Sequence, residues 1–126
     1  MLIVNETRDH LLADRAELVT QPLRRMKGLL GRSALEPGCA MVIEPCASVH
    51  TFFMRFAIDV VFCDRNNRVL VTYERLPPWR LTRIHGAARS VIELPAGTLE
   101  GSNTAPGDKL LFLEERQSPT TPKPQP

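Results

Sequence analysis

Between Ser48 and Asp64 the chain reads SVHTFFMRFAIDVVFCD, a strongly apolar double run interrupted by His50, Thr51, Arg55 and Asp59. Histidine and carboxylate side chains are the usual parts of general acid–base chemistry. A carboxylate in such a run must accept hydrogen bonds or meet a cation, because burying it bare costs several kcal/mol. In an extended strand Phe56, Ile58, Val60 and Phe62 share one face, and Ala57, Asp59, Val61 and Cys63 share the other. Both faces are apolar except at Asp59. The strand is therefore expected to be central, with Asp59 either anchoring a neighbouring loop or arginine or forming the wall of a ligand site. His50 and Met54 share a strand face by parity, but at ~3.3 Å per residue their Cα atoms would stand about 13 Å apart, too far to act together directly. A Cys46–His50 nucleophile and base would require a sharp turn between them.

A second group of reactive side chains follows. From Arg65 to Arg89 the sequence holds Arg65, Arg68, Arg75, Arg80, Arg83 and Arg89, with Glu74 as the only acid. Leu76-Pro77-Pro78-Trp79-Arg80 stiffens one edge of this group and offers an aromatic face. Guanidinium forks match carboxylates and phosphates, so a small anion is a reasonable guest. The competing use is pairing within the chain, since Glu93, Glu100, Asp108, Glu114 and Glu115 face only Lys109 and Arg116 in the C-terminal part.

These residues define the expected site: a polar pocket of His50, Thr51, Met54, Asp59 and Glu93, rimmed by Trp79 and Arg80, holding a small anionic or polar ligand. The leading reading is a small binding or accessory domain rather than an enzyme. The alternative is an enzyme in which Asp59 or Glu93 works with His50 as acid and base. No catalytic residue is assigned. Metal binding by His50, His85 and Asp59 matches no familiar ligand spacing, and neither metal nor cofactor is expected. Cys39, Cys46 and Cys63 are odd in number and form no CxxC pair, which indicates neither a disulfide framework nor a structural zinc site.

The elements that must position these groups are mostly strands. Short apolar runs recur between turn signals at Leu2 to Val4, Leu11 to Val19, Cys39 to Ile43, Val49 to Phe53, Phe56 to Cys63, Arg68 to Tyr73, Ser90 to Leu94 and Lys109 to Leu113. Asp64-Arg65-Asn66-Asn67 reads as a hairpin turn with an asparagine able to take a positive φ. Pro95-Ala96-Gly97 and Pro106-Gly107-Asp108 bracket a polar connection able to hold a short helical turn. One N-terminal helix is expected: Thr20 caps it, Pro22 sits in its first turn, Leu23, Met26 and Leu30 form its apolar stripe, and Gly31 ends it. Its polar side, Arg24, Arg25 and Lys27 with Arg32 just beyond, could dock on an acidic protein partner.

A chain of 126 residues suits one domain with a real core. Residues 1–116 are expected to form it, and the proline-rich 117–126 to be disordered. With 43% hydrophobic and 24% charged residues and a net charge of +2, the chain is an ordinary globular one and nucleic acid is not implied. The N-terminus has no basic segment leading into an apolar stretch of signal length. No run approaches the ~20 apolar residues of a membrane span, so no membrane association and a cytoplasmic location are expected.

Taken in order, Gly28-Leu29-Leu30-Gly31-Arg32, Ser48-Val49-His50-Thr51, Met54-Arg55-Phe56-Ala57-Ile58-Asp59, Glu93-Leu94-Pro95-Ala96-Gly97 and Gly107-Asp108 resemble the bacterial and archaeal family called domain of unknown function 192. The resemblance runs from about Leu18 to Leu113. It implies a mainly β domain of barrel-like or sandwich form with one short helix, and it brings no activity, cofactor or catalytic residue. The family's recurring positions fall at His50 or its neighbours, Met54, Asp59, Glu93, Gly97 and Gly107. Many related sequences have glycine in the hairpin where Asn67 stands here, a change that keeps the turn chemistry.

Overall fold

The computed structural model describes residues 1–20 and 34–114. The expected helix after Thr20, with its basic face, and the expected disorder of 117–126 lie outside the described residues.

Strands β1 (Leu2–Asn5), β2 (His10–Ala13) and β8 (Leu110–Leu113) form an antiparallel sheet in the order β2-β1-β8. A larger sheet contains β3 (Arg15–Val19), β4 (Cys39–Ile43), β5 (Ile58–Cys63), β6 (Val69–Leu76) and β7 (Ser90–Pro95). Its order is β3-β4-β7-β5-β6, with β3 and β4 parallel and the other pairs antiparallel. A single-turn helix, α1 (Thr98–Ser102), lies between β7 and β8 in sequence. The protein is mainly β, and its sheets stack in a sandwich-like arrangement rather than a closed barrel.

The central strands of the larger sheet, β4, β7 and β5, are buried on both sides. One face packs Ala16, Ala40, Val42, Val61, Cys63, Ile92 and Leu94 against Ile3, Leu12 and Leu110 of the small sheet, with Leu99 of α1 closing the end. The other carries Val19, Met41, Ile43, Ile58, Val60, Phe62 and Val91, over which Leu35, Val49 and Met54 are folded. Each Val, Leu, Ile, Met or Phe side chain so withdrawn from water contributes about 1.5–3 kcal/mol, which is why β5 and β7 read as nearly continuous apolar runs. The parity expected for Ile58 to Cys63 is the parity found, and it begins at Ile58, two residues later than expected.

Two expected strands are corrected. Leu11 to Val19 is two strands, because the chain leaves the small sheet at Ala13 and enters the larger one at Arg15. The crossing is held by the amides of Asp14 and Arg15, which both donate to the carbonyl of Gly38, at 3.0 and 2.9 Å. Gly38 sits at φ +88, where an L side chain is strained. Val49 to Phe53 is not a strand either. Only His50 bridges Leu81, after which the chain turns, with the Met54 amide donating to the Thr51 carbonyl at 3.2 Å and Phe53 at φ 68. The strand geometry that would separate His50 from Met54 therefore does not apply. The hairpin at Asp64–Asn67 forms as expected: the Asp64 carboxylate accepts from the amides of Asn66 and Arg68, and Asn67 takes φ 64.

Candidate functional site

Asp59 is wholly buried on β5, and both its carboxylate oxygens are engaged. Oδ1 accepts from the Arg75 amide at 2.8 Å, and Oδ2 from the amides of Gly97 at 3.1 Å and Leu99 at 2.8 Å. The last two lie at the start of α1, whose N-cap, Gly97, has no side chain to offer and stands at φ +99. Asp59 thus supplies, from a neighbouring strand, the acceptor that a capping serine or aspartate would supply locally. The carboxylate that stands out in the sequence fastens α1 and β6 to the centre of the sheet.

Glu93 is also fully buried, at the middle of β7, but it faces the other way. Its register partners are Met41 and Val60, both in the second cluster, whereas Asp59 stands opposite Leu94 in the first. Directly paired residues share a face, so the sheet itself separates the two carboxylates. Met54 lies in the core on Glu93's side.

His50, Thr51, Trp79 and Arg80 do come together. The Thr51 amide donates to the Arg80 carbonyl at 2.8 Å, and the Trp79 amide donates to the Thr51 carbonyl at 2.9 Å. The Thr51 hydroxyl donates to the Pro77 carbonyl at 2.6 Å and accepts from the Arg80 amide at 2.9 Å. Thr82 repeats the device one bridge further on, its hydroxyl accepting from the Val49 amide at 3.0 Å and its amide donating to the Val49 carbonyl. Two separated loops are thereby locked into one surface.

That surface carries an aromatic cluster. The Phe53 and Trp79 rings stand 4.7 Å apart between centroids, Phe52 and Trp79 6.0 Å, and His50 and Phe52 stack at 4.9 Å and 24°. Phe52, Phe53 and Trp79 are exposed, as are Leu81, which bridges His50, and Ile84 further along the second loop. Phe53 and Trp79 both have positive φ, uncommon for bulky residues and a form of strain found at functional sites. Arg55, Arg80 and Arg83, on the same two loops, are exposed and make no ion pair among the described residues, and the Arg80 guanidinium donates to the Pro78 carbonyl at 3.4 Å. Other arginines are used within the chain: Arg75 pairs with Glu100 at 2.8 Å, Arg89 with Glu44 at 3.4 Å, and Arg68 donates to the Gly107 carbonyl.

Of the residues at this junction His50, Thr51, Trp79 and Arg80 stood out in the sequence, and Phe52, Phe53, Leu81 and Ile84 did not. The available signal was the Phe52-Phe53 pair, since adjacent residues of a strand cannot both point into one core. Nor did a buried polar knot at the far end of the sandwich stand out. There Asp108 accepts from Asn5 at 3.0 Å, Arg8 at 2.9 Å and the Ala105 amide at 3.0 Å, while Asn5 also donates to Thr104. Burial alone would raise the Asp108 pKa, but the bonds from Arg8, Asn5 and Ala105 outweigh it and hold the carboxyl below its ordinary value. Tyr73 and His85 share a half-buried hydrogen bond of 2.8 Å beside Phe62. The Cys46 thiol donates to the Ser48 carbonyl at 3.0 Å, Cys39 and Cys63 are free thiols, and burial, with a smaller contribution from Asp64, pushes Cys63 up to about 12. Among the described residues no three His, Cys, Asp or Glu side chains form a metal-binding group. A cleft of about 260 Å³ opens elsewhere, between Leu18, Val42, Glu44, Arg65, Ser90 and Phe112.

The sequence profile of a family described as uncharacterized ACR, domain of unknown function 192, matches residues 3–112. A UPF0127 protein of Pyrococcus horikoshii is 36% identical over 118 residues, covering 89% of this chain and 99% of its own. A protein of unknown function from Novosphingobium aromaticivorans superposes with a TM-score of 0.75 at 22% identity, over 88% of this chain and 83% of that one. A candidate transcription regulator from Sinorhizobium meliloti does so with a TM-score of 0.70 at 21% identity, over 87% and 89%. At those identities the likeness is one of fold.

Proposed function

The chain belongs to the uncharacterised domain of unknown function 192 family, and from its geometry we propose that it is a binding domain whose contact surface is the locked junction of Thr51 with Arg80. The ligand is anionic with an apolar or ring-bearing part. Phe52, Phe53 and Trp79 supply stacking area, and Arg55, Arg80 and Arg83 meet the charge. One observation carries the reading: three aromatic rings gather in solvent on loops whose backbone is fixed by the hydrogen bonds of Thr51. Pre-organisation of this kind lowers the ordering cost of binding. A surface with no role would lose little by exchanging exposed aromatics for polar residues.

The acid–base alternative draws no comparable support. Asp59 is committed to three backbone amides, and Glu93 leaves the sheet through the opposite face.

Trp79 is the chain's only tryptophan and reports directly on this surface. A panel of aromatic carboxylates, sulfonates and phosphates titrated against its emission is expected to give saturable shifts, weakened about tenfold or more by Arg80→Gln, the loss of one charge-assisted contact. If no member of the panel moves either the emission or the melting temperature, the proposal fails.

A further inference from the structure

We infer that this surface docks the protein on an anionic lipid bilayer, an inference that rests on the binding-surface reading above and names its partner. Five of the eight large apolar side chains exposed among the described residues belong to these two loops. Phe53 is 63% exposed, Trp79 57%, Leu81 68% and Ile84 79%, with Phe52 beside them. A small ligand could use the rings but gives no reason for Leu81 and Ile84. The cleft of about 260 Å³ lies elsewhere, and what these loops offer is an exposed surface, which suits an occupant that needs no cavity.

The polar inventory distinguishes a bilayer from a protein partner. Interfaces between proteins carry roughly one hydrogen bond per 100–200 Å². Here the hydroxyls of Thr51 and Thr82 are turned inward and engaged, so the patch presents apolar side chains, the half-buried His50 and three guanidinium groups. Segments 50–56 and 77–85 contain three arginines and no acidic residue. Exposed aromatics settle at the headgroup level, aliphatic side chains reach below it, and arginines hold anionic headgroups from the rim. Loop backbone entering that zone must bring its own hydrogen-bond partners, and the amides of Thr51, Trp79, Arg80 and Thr82 are already satisfied within the protein. Such docking is shallow and reversible, and it needs no membrane-spanning element. Among the described residues no helix is long and apolar enough to span. The expectation of no membrane association came from single runs of sequence, whereas this patch is assembled from two loops more than twenty residues apart.

The test is flotation of the full chain with vesicles of phosphatidylcholine alone and of equimolar phosphatidylcholine and phosphatidylserine, with Trp79 emission read in parallel. The expected result is co-flotation and a blue shift with the anionic vesicles only, weakened by salt. Arg80→Gln and Arg83→Gln should each reduce vesicle affinity about fivefold. Leu81→Glu and Ile84→Glu, at exposed positions that leave the fold and the reporter intact, should abolish it. Equal binding to neutral vesicles would overturn the inference. So would absence from both vesicle types in a folded protein. If Trp79 still responds to soluble aromatic anions, only the lipid assignment falls and the binding surface stands. If it responds to none of these, both fall.

Discussion

Asp59 on β5 stands opposite Leu94, the residue after Glu93 on β7, so the two buried carboxylates leave the larger sheet through opposite faces. Their separation divides the molecule's labours. Asp59 holds α1 and β6, and what remains exposed and chemically unusual lies at the loops joined by Thr51 and Arg80.

Asp59→Asn should lower stability by about 3 kcal/mol, because the amide nitrogen meets backbone N–H groups that need an acceptor. Urea denaturation measures the loss. Trp79 titrations of the folded fraction should be unchanged, since the site is fastened by other bonds.

Thr51→Val keeps the shape of the side chain while leaving the Arg80 amide and the Pro77 carbonyl without their partner. The expected cost is about 1–3 kcal/mol, with faster amide exchange confined to segments 50–54 and 77–82. Exchange unchanged there would show that the hydroxyl does not lock the loops.

Acid should loosen the far end of the sandwich through Asp108. Its folded pKa lies below the ordinary value of 3.8, so its contribution is full above that value and is lost as pH falls through the lower, folded one. Urea midpoints between neutral pH and about pH 2.5 should therefore fall more for the wild type than for Asp108→Asn, which is already less stable at neutral pH.

Cys63 should resist alkylation at mildly alkaline pH in the native protein and react on unfolding, because its thiol is pushed up to about 12 and the side chain is wholly buried. Cys39 and Cys46, both half-buried, should be modified first. Peptide mapping after timed labelling gives the order.

What the sequence made legible were features set by neighbours along the chain. The two faces of Ile58 to Cys63, the asparagine turn after Asp64 and the helical turn between Gly97 and Gly107 all depend on parity or local turn chemistry, and all are present. Features set by distant partners were not legible. The break at Asp14 depends on the Gly38 carbonyl, and the failure of Val49 to Phe53 to form a strand depends on Arg80, 29 residues from Thr51. Asp59 and Glu93 could be recognised as buried carboxylates, but their opposed directions follow from the register of β5 against β7, which neither strand carries alone. Trp79 and Arg80 were identifiable as a stiffened aromatic and basic edge, while Phe52 and Phe53 were absorbed into a strand that does not form.

The most direct test of the binding surface is amide chemical-shift mapping of the full chain titrated with naphthyl phosphate. Saturable shifts gathered in segments 50–55 and 79–84 are the expected result. Shifts gathered instead at the cleft of Glu44, Arg65 and Ser90, or none at all, would contradict the account.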